Sequence, residues 1–297
     1  MFSGLCIGIV SAIIQAGAFF CSRKFVQKHH SPAALLIHAH LLILFFSLVT
    51  VGSLWKYIRI DFSGRFLGNL FLLCASVAFG SYCFFQTLNE IEASRTGSLM
   101  GLKIITLSAI NGLISREFPS LMQYCAILLA TIAAIGMNFS GAKISCKGGI
   151  FLFLTLVGYS LSDIAGTVIS ESVSGNGGSL INSFAGISIG YVAVGIFTSL
   201  GFFKIKFSME QLRDAIPYAA SWYLAMLLLF TSFVLLGVVY GSIIQAFRGF
   251  FSVVIGFFIS RIFTKSILEP QVSRAIWIRR WIMTLLMIIS AAIYNWK

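Results

Sequence analysis

The sequence predicts an all-α integral membrane protein of about ten transmembrane helices, arranged as two inverted five-helix repeats. Three observations carry this. Hydrophobic residues make up 58% of the chain and charged residues 10%, with a mean hydropathy of +0.95; an ordinary soluble domain carries about 25% charged residues. Apolar runs long enough to span a bilayer, which takes roughly 20 residues, recur along all 297 residues. One segment of the first half also recurs in the second. The runs are too long, and alternate too little, for barrel strands, so helices are the means of satisfying every backbone group in lipid.

The first run, 3–21, is apolar from MFSGLCIGIV onward. It has no basic leader and no small-residue cleavage site, so it is expected to be a span rather than a removed signal peptide. The second, 32–55, opens on Ser31-Pro32, where the missing proline N–H costs nothing. The third, fourth and fifth are 66–88, 95–115 and 120–138. After a break at 139–148 come 148–170, 180–201, 216–237, 241–262 and 275–295. Connections are short, and the basic ones are 22–32, 55–65 and 203–215. Pro119, Pro217 and Pro270 are expected in breaks or at span starts. The spacings GLCIG (4–8) and GISIG (186–190) suit close helix contact.

The repeat sets the fourth run, GSLMGLKIITLSAINGLISR (97–116), against the ninth, GSIIQAFRGFFSVVIGFFISR (241–261). Both open Gly-Ser and both carry one base, Lys103 or Arg248. Both close on Ser-Arg twelve and thirteen residues beyond that base. The expected domains are therefore 1–142 and 143–297. An odd number of crossings per half makes the second half enter from the opposite side. That inversion puts a site near the midplane and supports alternating access.

The net charge of +12 sits mostly beside apolar runs, the usual membrane pattern, and so excludes a nucleic-acid partner. Cys6, Cys21, Cys74, Cys83, Cys125 and Cys146 form no C-x-x-C pair and read as small core residues. His38 and His40 are two apart on a helix and point to nearly opposite sides. With His29 and His30 they make no metal site, and no cofactor is expected.

Several features carry a resemblance to a known family. They are Ser31-Pro32, the glycine- and serine-bearing fourth and ninth runs, and the small-residue runs AILLATIAAIGMNFSG (126–141) and MIISAAIYNW (287–296). With these the chain resembles the drug/metabolite transporter superfamily, specifically its EamA-type members of ten helices in two inverted halves. The family's Gly-Glu-Arg turn after the fourth helix is matched in part by Arg116-Glu117. The resemblance implies secondary transport of small metabolites through a central cavity lined by the first, third, fourth, sixth, eighth and ninth helices. It leaves the substrate open.

A basic residue at the centre of a span costs roughly 2.5–3.5 kcal/mol, so Lys103 and Arg248 are expected to face a wet cavity or a counter-charge. Of the nine acidic residues, only Asp163 lies deep in a span. One carboxylate leaves one positive charge in excess, which an anionic substrate would supply. The plainer alternative pairs Asp163 with one base while the other bonds backbone carbonyls or snorkels to the interface. Gln15, Tyr82, Gln86, Tyr159 and Gln245 complete the expected substrate-binding set. Trp222 and Tyr223 read first as interfacial aromatics.

The leading expectation is a secondary transporter, not an enzyme, in the plasma (inner) membrane. It would move an anionic or amino-acid-like metabolite, with Asp163 as counter-ion or proton-coupling group. The expected partners are that solute, the lipid bilayer, a coupling proton and a second copy of the chain in a homodimer. The alternatives are an exporter of hydrophobic or cationic drugs, a membrane enzyme on lipid-linked substrates, and a transport-inactive subunit. Lys and Arg number 14 on the face reached by odd-numbered runs and 5 on the other. That count puts both termini outside, whereas the resemblance puts them inside.

Overall fold

The computed structural model describes residues 2–91, 96, 99–116, 118–138, 144–203, 205–262 and 274–294. Arg95, Glu117, Lys143, Lys204, Lys265, Pro270 and Lys297 lie outside the described residues, as do the Gly-Ser opening the fourth run (97–98) and residues 139–143 of the break after the fifth. The helices are α1 (Phe2–His29), α2 (Pro32–Leu54), α3 (Gly64–Glu90), α4 (Lys103–Ser115), α5 (Leu121–Asn138) and α6 (Cys146–Glu171). They continue as α7 (Gly178–Ser199), α8 (Met209–Leu236), α9 (Val238–Gln245), α10 (Arg248–Ile262) and α11 (Arg274–Tyr294). Among the described residues the predicted runs are mostly helical, the ninth in two pieces. Among the described residues, seven helical stretches are long and apolar enough to cross a membrane; Met100–Ser115, Leu121–Ala133 and Trp281–Tyr294 are shorter apolar helices.

Local chemistry explains several starts. Ser31, Ser63, Ser145 and Ser208 each accept a hydrogen bond from a backbone N–H one turn into α2, α3, α6 and α8. Such a cap satisfies a donor that the first turn leaves free. Pro32 occupies the first turn of α2, as expected.

The structure corrects four readings. The basic stretch after the first run is helix as far as His29. The eighth helix begins at Met209, so Pro217 sits inside it rather than at its start. The polar first turns, MEQLRDA, resemble a loop in composition but follow the Ser208 cap. The ninth run is not one helix: it breaks at Ala246–Phe247, between α9 and α10. Two short strands also exist, Arg59–Ile60 paired antiparallel with Val173–Ser174, in the connections after α2 and α6.

Packing follows small residues. α3 lies against α6, α1 against α8, α2 against α7, and α5 against α11. At the α3–α6 crossing a Cβ on Gly158 would lie 2.8 Å from the Cα of Gly80. Only glycine lets the two backbones approach so closely. The GLCIG and GISIG spacings also lie at contacts: a Cβ on Gly8 would lie 2.7 Å from Ser232 Oγ, and one on Gly186 2.6 Å from the Cα of Ser170. Of the seven spans, α6 is the most enclosed, at 72% of its apolar window buried. It carries Asp163 through the middle of the protein.

Candidate functional site

Two helix openings converge inside the protein. A 3-10 turn, Met100–Leu102, precedes α4, and Lys103 is the first residue of α4. The break at Ala246–Phe247 makes Arg248 the first residue of α10. The two bases aligned by the internal repeat thus both start a helix after an irregular turn. Each is 2% exposed, so neither snorkels to an interface.

Lys103, Tyr159, Ser162, Asp163, Gln245 and Arg248 line one small cavity. Val77 of α3, Tyr191 of α7, and Trp222, Met226 and Phe230 of α8 form its apolar wall. Lys103 Nζ forms an ion pair with Asp163 Oδ2 and donates to Gln245 Oε1 at 2.7 Å. Arg248 Nη1 donates to Gln15 Oε1 at 2.8 Å, and Nη2 donates to the Met100 carbonyl at 3.1 Å. The guanidinium also stands 5.7 Å from the centre of the Phe19 ring. Its Nε is buried without a hydrogen-bond partner.

The charges therefore do not balance. Asp163 is the only buried carboxylate among the described residues, and it is paired with Lys103. Arg248 bonds a backbone carbonyl, as the plainer sequence reading allows, but that bond and the Gln15 amide bring no negative charge. A buried charge without a partner is costly. A carboxylate or phosphate reaching Nε would supply both the missing acceptor and the missing charge.

Of the eight residues singled out in the sequence, the structure brings six together. Five line the cavity, and Gln15 is joined to it through Arg248 and Gln245. Tyr82 and Gln86 are not among them. Tyr82 is 39% exposed, and Gln86 Nε2 donates to its hydroxyl at 3.0 Å on the outer side of α3. Residues four apart on a helix are neighbours, and these two satisfy each other.

Trp222 and Tyr223 are not interfacial. They are 5% and 6% exposed, because the early start of α8 carries them more than three turns into the helix. Trp222 stacks on Tyr218, with centroids 5.7 Å apart. The Tyr223 hydroxyl donates to Thr50 Oγ1 at 2.8 Å and shares a second bond with Ser188. Sequence reasoning missed Tyr191. Its only signal is a phenol in the middle of an apolar run, where the hydroxyl needs a partner.

Elsewhere, His29, Glu210 and Asp214 bring ligand atoms within 4.8 Å of one another. The Lys28 ammonium already bonds both carboxylates, at 2.9 and 2.6 Å, and His29 Nε2 lies 2.7 Å from Asp214. An ammonium held in this way explains the cluster as an ion-pair network tying the end of α1 to the start of α8. His38 Nδ1 lies 2.8 Å from the Ala34 carbonyl and His40 Nδ1 2.7 Å from that of Leu36. Both bond their own helix.

No curated protein sequence matches the chain. A crystal structure described only as that of a protein superposes on it with a TM-score of 0.64 at 11% identity, covering 99% of this chain and 97% of its own. At that identity the likeness is one of fold. Residues 2–139 match the model of the EamA-like transporter family. Through those residues the chain is recognised as similar to the EamA-like transporters, consistent with the drug/metabolite transporter superfamily.

Proposed function

We propose that this membrane protein is a secondary transporter of a small organic solute bearing a carboxylate or phosphate, working by alternating access in the plasma (inner) membrane. The observation that carries the reading is Arg248, buried in a cavity with Nε unpartnered, while the nearby carboxylate of Asp163 pairs with Lys103. In this reading the anionic group of the solute docks on Arg248. Lys103 adds a point charge, and Asp163 is the counter-ion of Lys103 and the seat of a coupling proton. The apolar wall holds the body of the solute.

Two inverted repeats, 1–142 and 143–297, are part of the proposal. A two-fold exchange of the halves matches α1 with α6, α2 with α7, α3 with α8 and α5 with α11. The packing supports it: α1 against α8 is the counterpart of α6 against α3, while α2–α7 and α5–α11 are each their own counterpart. The matched helix openings at Lys103 and Arg248 agree with it.

Purified protein in liposomes tests the function. A transporter is expected to accumulate or exchange an anionic metabolite with no other protein present, and to return it chemically unchanged. Chemical conversion of the solute would make the protein an enzyme. A need for a second polypeptide would make it a subunit.

A further inference from the structure

A chain of carboxamides joins the two cations. Lys103 Nζ donates to Gln245 Oε1 at 2.7 Å. Gln245 Nε2 donates to Gln15 Oε1 at 2.9 Å, and Arg248 Nη1 donates to the same oxygen at 2.8 Å. Gln15 Nε2 donates to Ser11 Oγ at 3.1 Å, and Ser11 donates to the Ala225 carbonyl at 2.8 Å. Lys and Arg can only donate, so they fix which way both amides face. Gln245 must turn its oxygen to Lys103, and its NH₂ then points to Gln15. Gln15 must turn its oxygen to Arg248.

The oxygen of Gln15 thus stands where a carboxylate oxygen would stand in a buried arginine pair. Glutamate has the same length and shape, and the Ser11 hydroxyl can turn from the Ala225 carbonyl to donate to the oxygen that replaces Nε2. It would give Arg248 the charge-assisted bond that a buried guanidinium ordinarily requires. The chain instead places the neutral amide there, with Gln15 fully buried, and leaves the positive charge of Arg248 uncancelled.

We propose that Gln15 is a specificity-determining residue: it holds Arg248 in place by a neutral hydrogen bond and so reserves the counter-ion position for an anionic ligand. This rests on the anionic-solute reading above. A carboxylate at position 15 would act as a built-in substitute for the ligand's charge. It would stabilise the empty protein and exclude the anion.

The experiment is thermal unfolding of detergent-purified wild type and Gln15→Glu, alone and with succinate or inorganic phosphate. Gln15→Glu is expected to melt higher than wild type when empty. It should bind the anion that stabilises wild type at least tenfold more weakly. Gln245→Glu places the new charge against Lys103 at the other end of the relay and is expected to lose the anion response likewise. If Gln15→Glu melts lower or fails to fold, the proposal is overturned, because an added counter-ion must stabilise. It is equally overturned if either variant responds to the anion as wild type does. A wild type indifferent to both anions, while Gln15→Glu melts higher, counts against the anionic-solute reading itself and removes the role of Gln15 with it.

Discussion

Replacing Arg248 with alanine is expected to abolish solute binding and uptake while leaving the protein folded. Truncating one partner of a buried charge pair costs about 2–5 kcal/mol, which corresponds to roughly a 30-fold to several-thousand-fold loss of affinity. On the protein itself the effects oppose one another: the Met100 carbonyl loses a donor and a large buried side chain leaves a cavity, which the relief of the unbalanced charge offsets. Gln15 Oε1 still accepts from Gln245, and an unbalanced charge leaves the interior. Size-exclusion profile and melting temperature are therefore expected to stay close to wild type while the ligand response disappears. Arg248→Lys keeps the charge but not the planar fork that holds an oxyanion, and should recover only part of the binding. Full transport of the true substrate by Arg248→Ala would remove this residue from the site.

The second large effect is expected on stability. Asp163→Asn leaves Lys103 without its counter-ion, in a cavity where Arg248 already lacks one. Breaking a buried ion pair from one side costs about 3–5 kcal/mol. The double variant Lys103→Gln with Asp163→Asn removes both charges and keeps the hydrogen-bonding shapes. It should regain most of that stability, the non-additivity expected of contacting residues. It also keeps the one excess positive charge, now on Arg248 alone, and should still bind an anion. Thermal unfolding of the four proteins of this cycle, with and without anion, measures both points. Additive losses would show that Lys103 and Asp163 do not depend on each other.

The sequence made the helices legible because each run is long and apolar, and length alone separates spans from breaks. It also made the charge pattern legible. Lys103, Arg248 and Asp163 stand out because an ionised group in lipid is expensive, and the structure brings all three to one cavity. What it hid was local. The break before Arg248 lies in SIIQAFRG, where no proline marks it. The early start of α8 lies in charged residues that look like a loop, and that error carried Trp222 to the wrong depth. Tyr82 and Gln86 lie outside the cavity because a polar side chain on a spanning helix does not by itself tell whether its face meets the cavity or the outside of the protein. Only the crossing at Gly80 and Gly158 fixes that rotation.

The position of the bound anion tests the account most directly. In a structure of the protein with its transported solute, a carboxylate or phosphate oxygen is expected about 2.7–2.9 Å from Nε of Arg248, with the Lys103–Asp163 pair beside it. A solute seated elsewhere, with Nε still bare, would contradict the account.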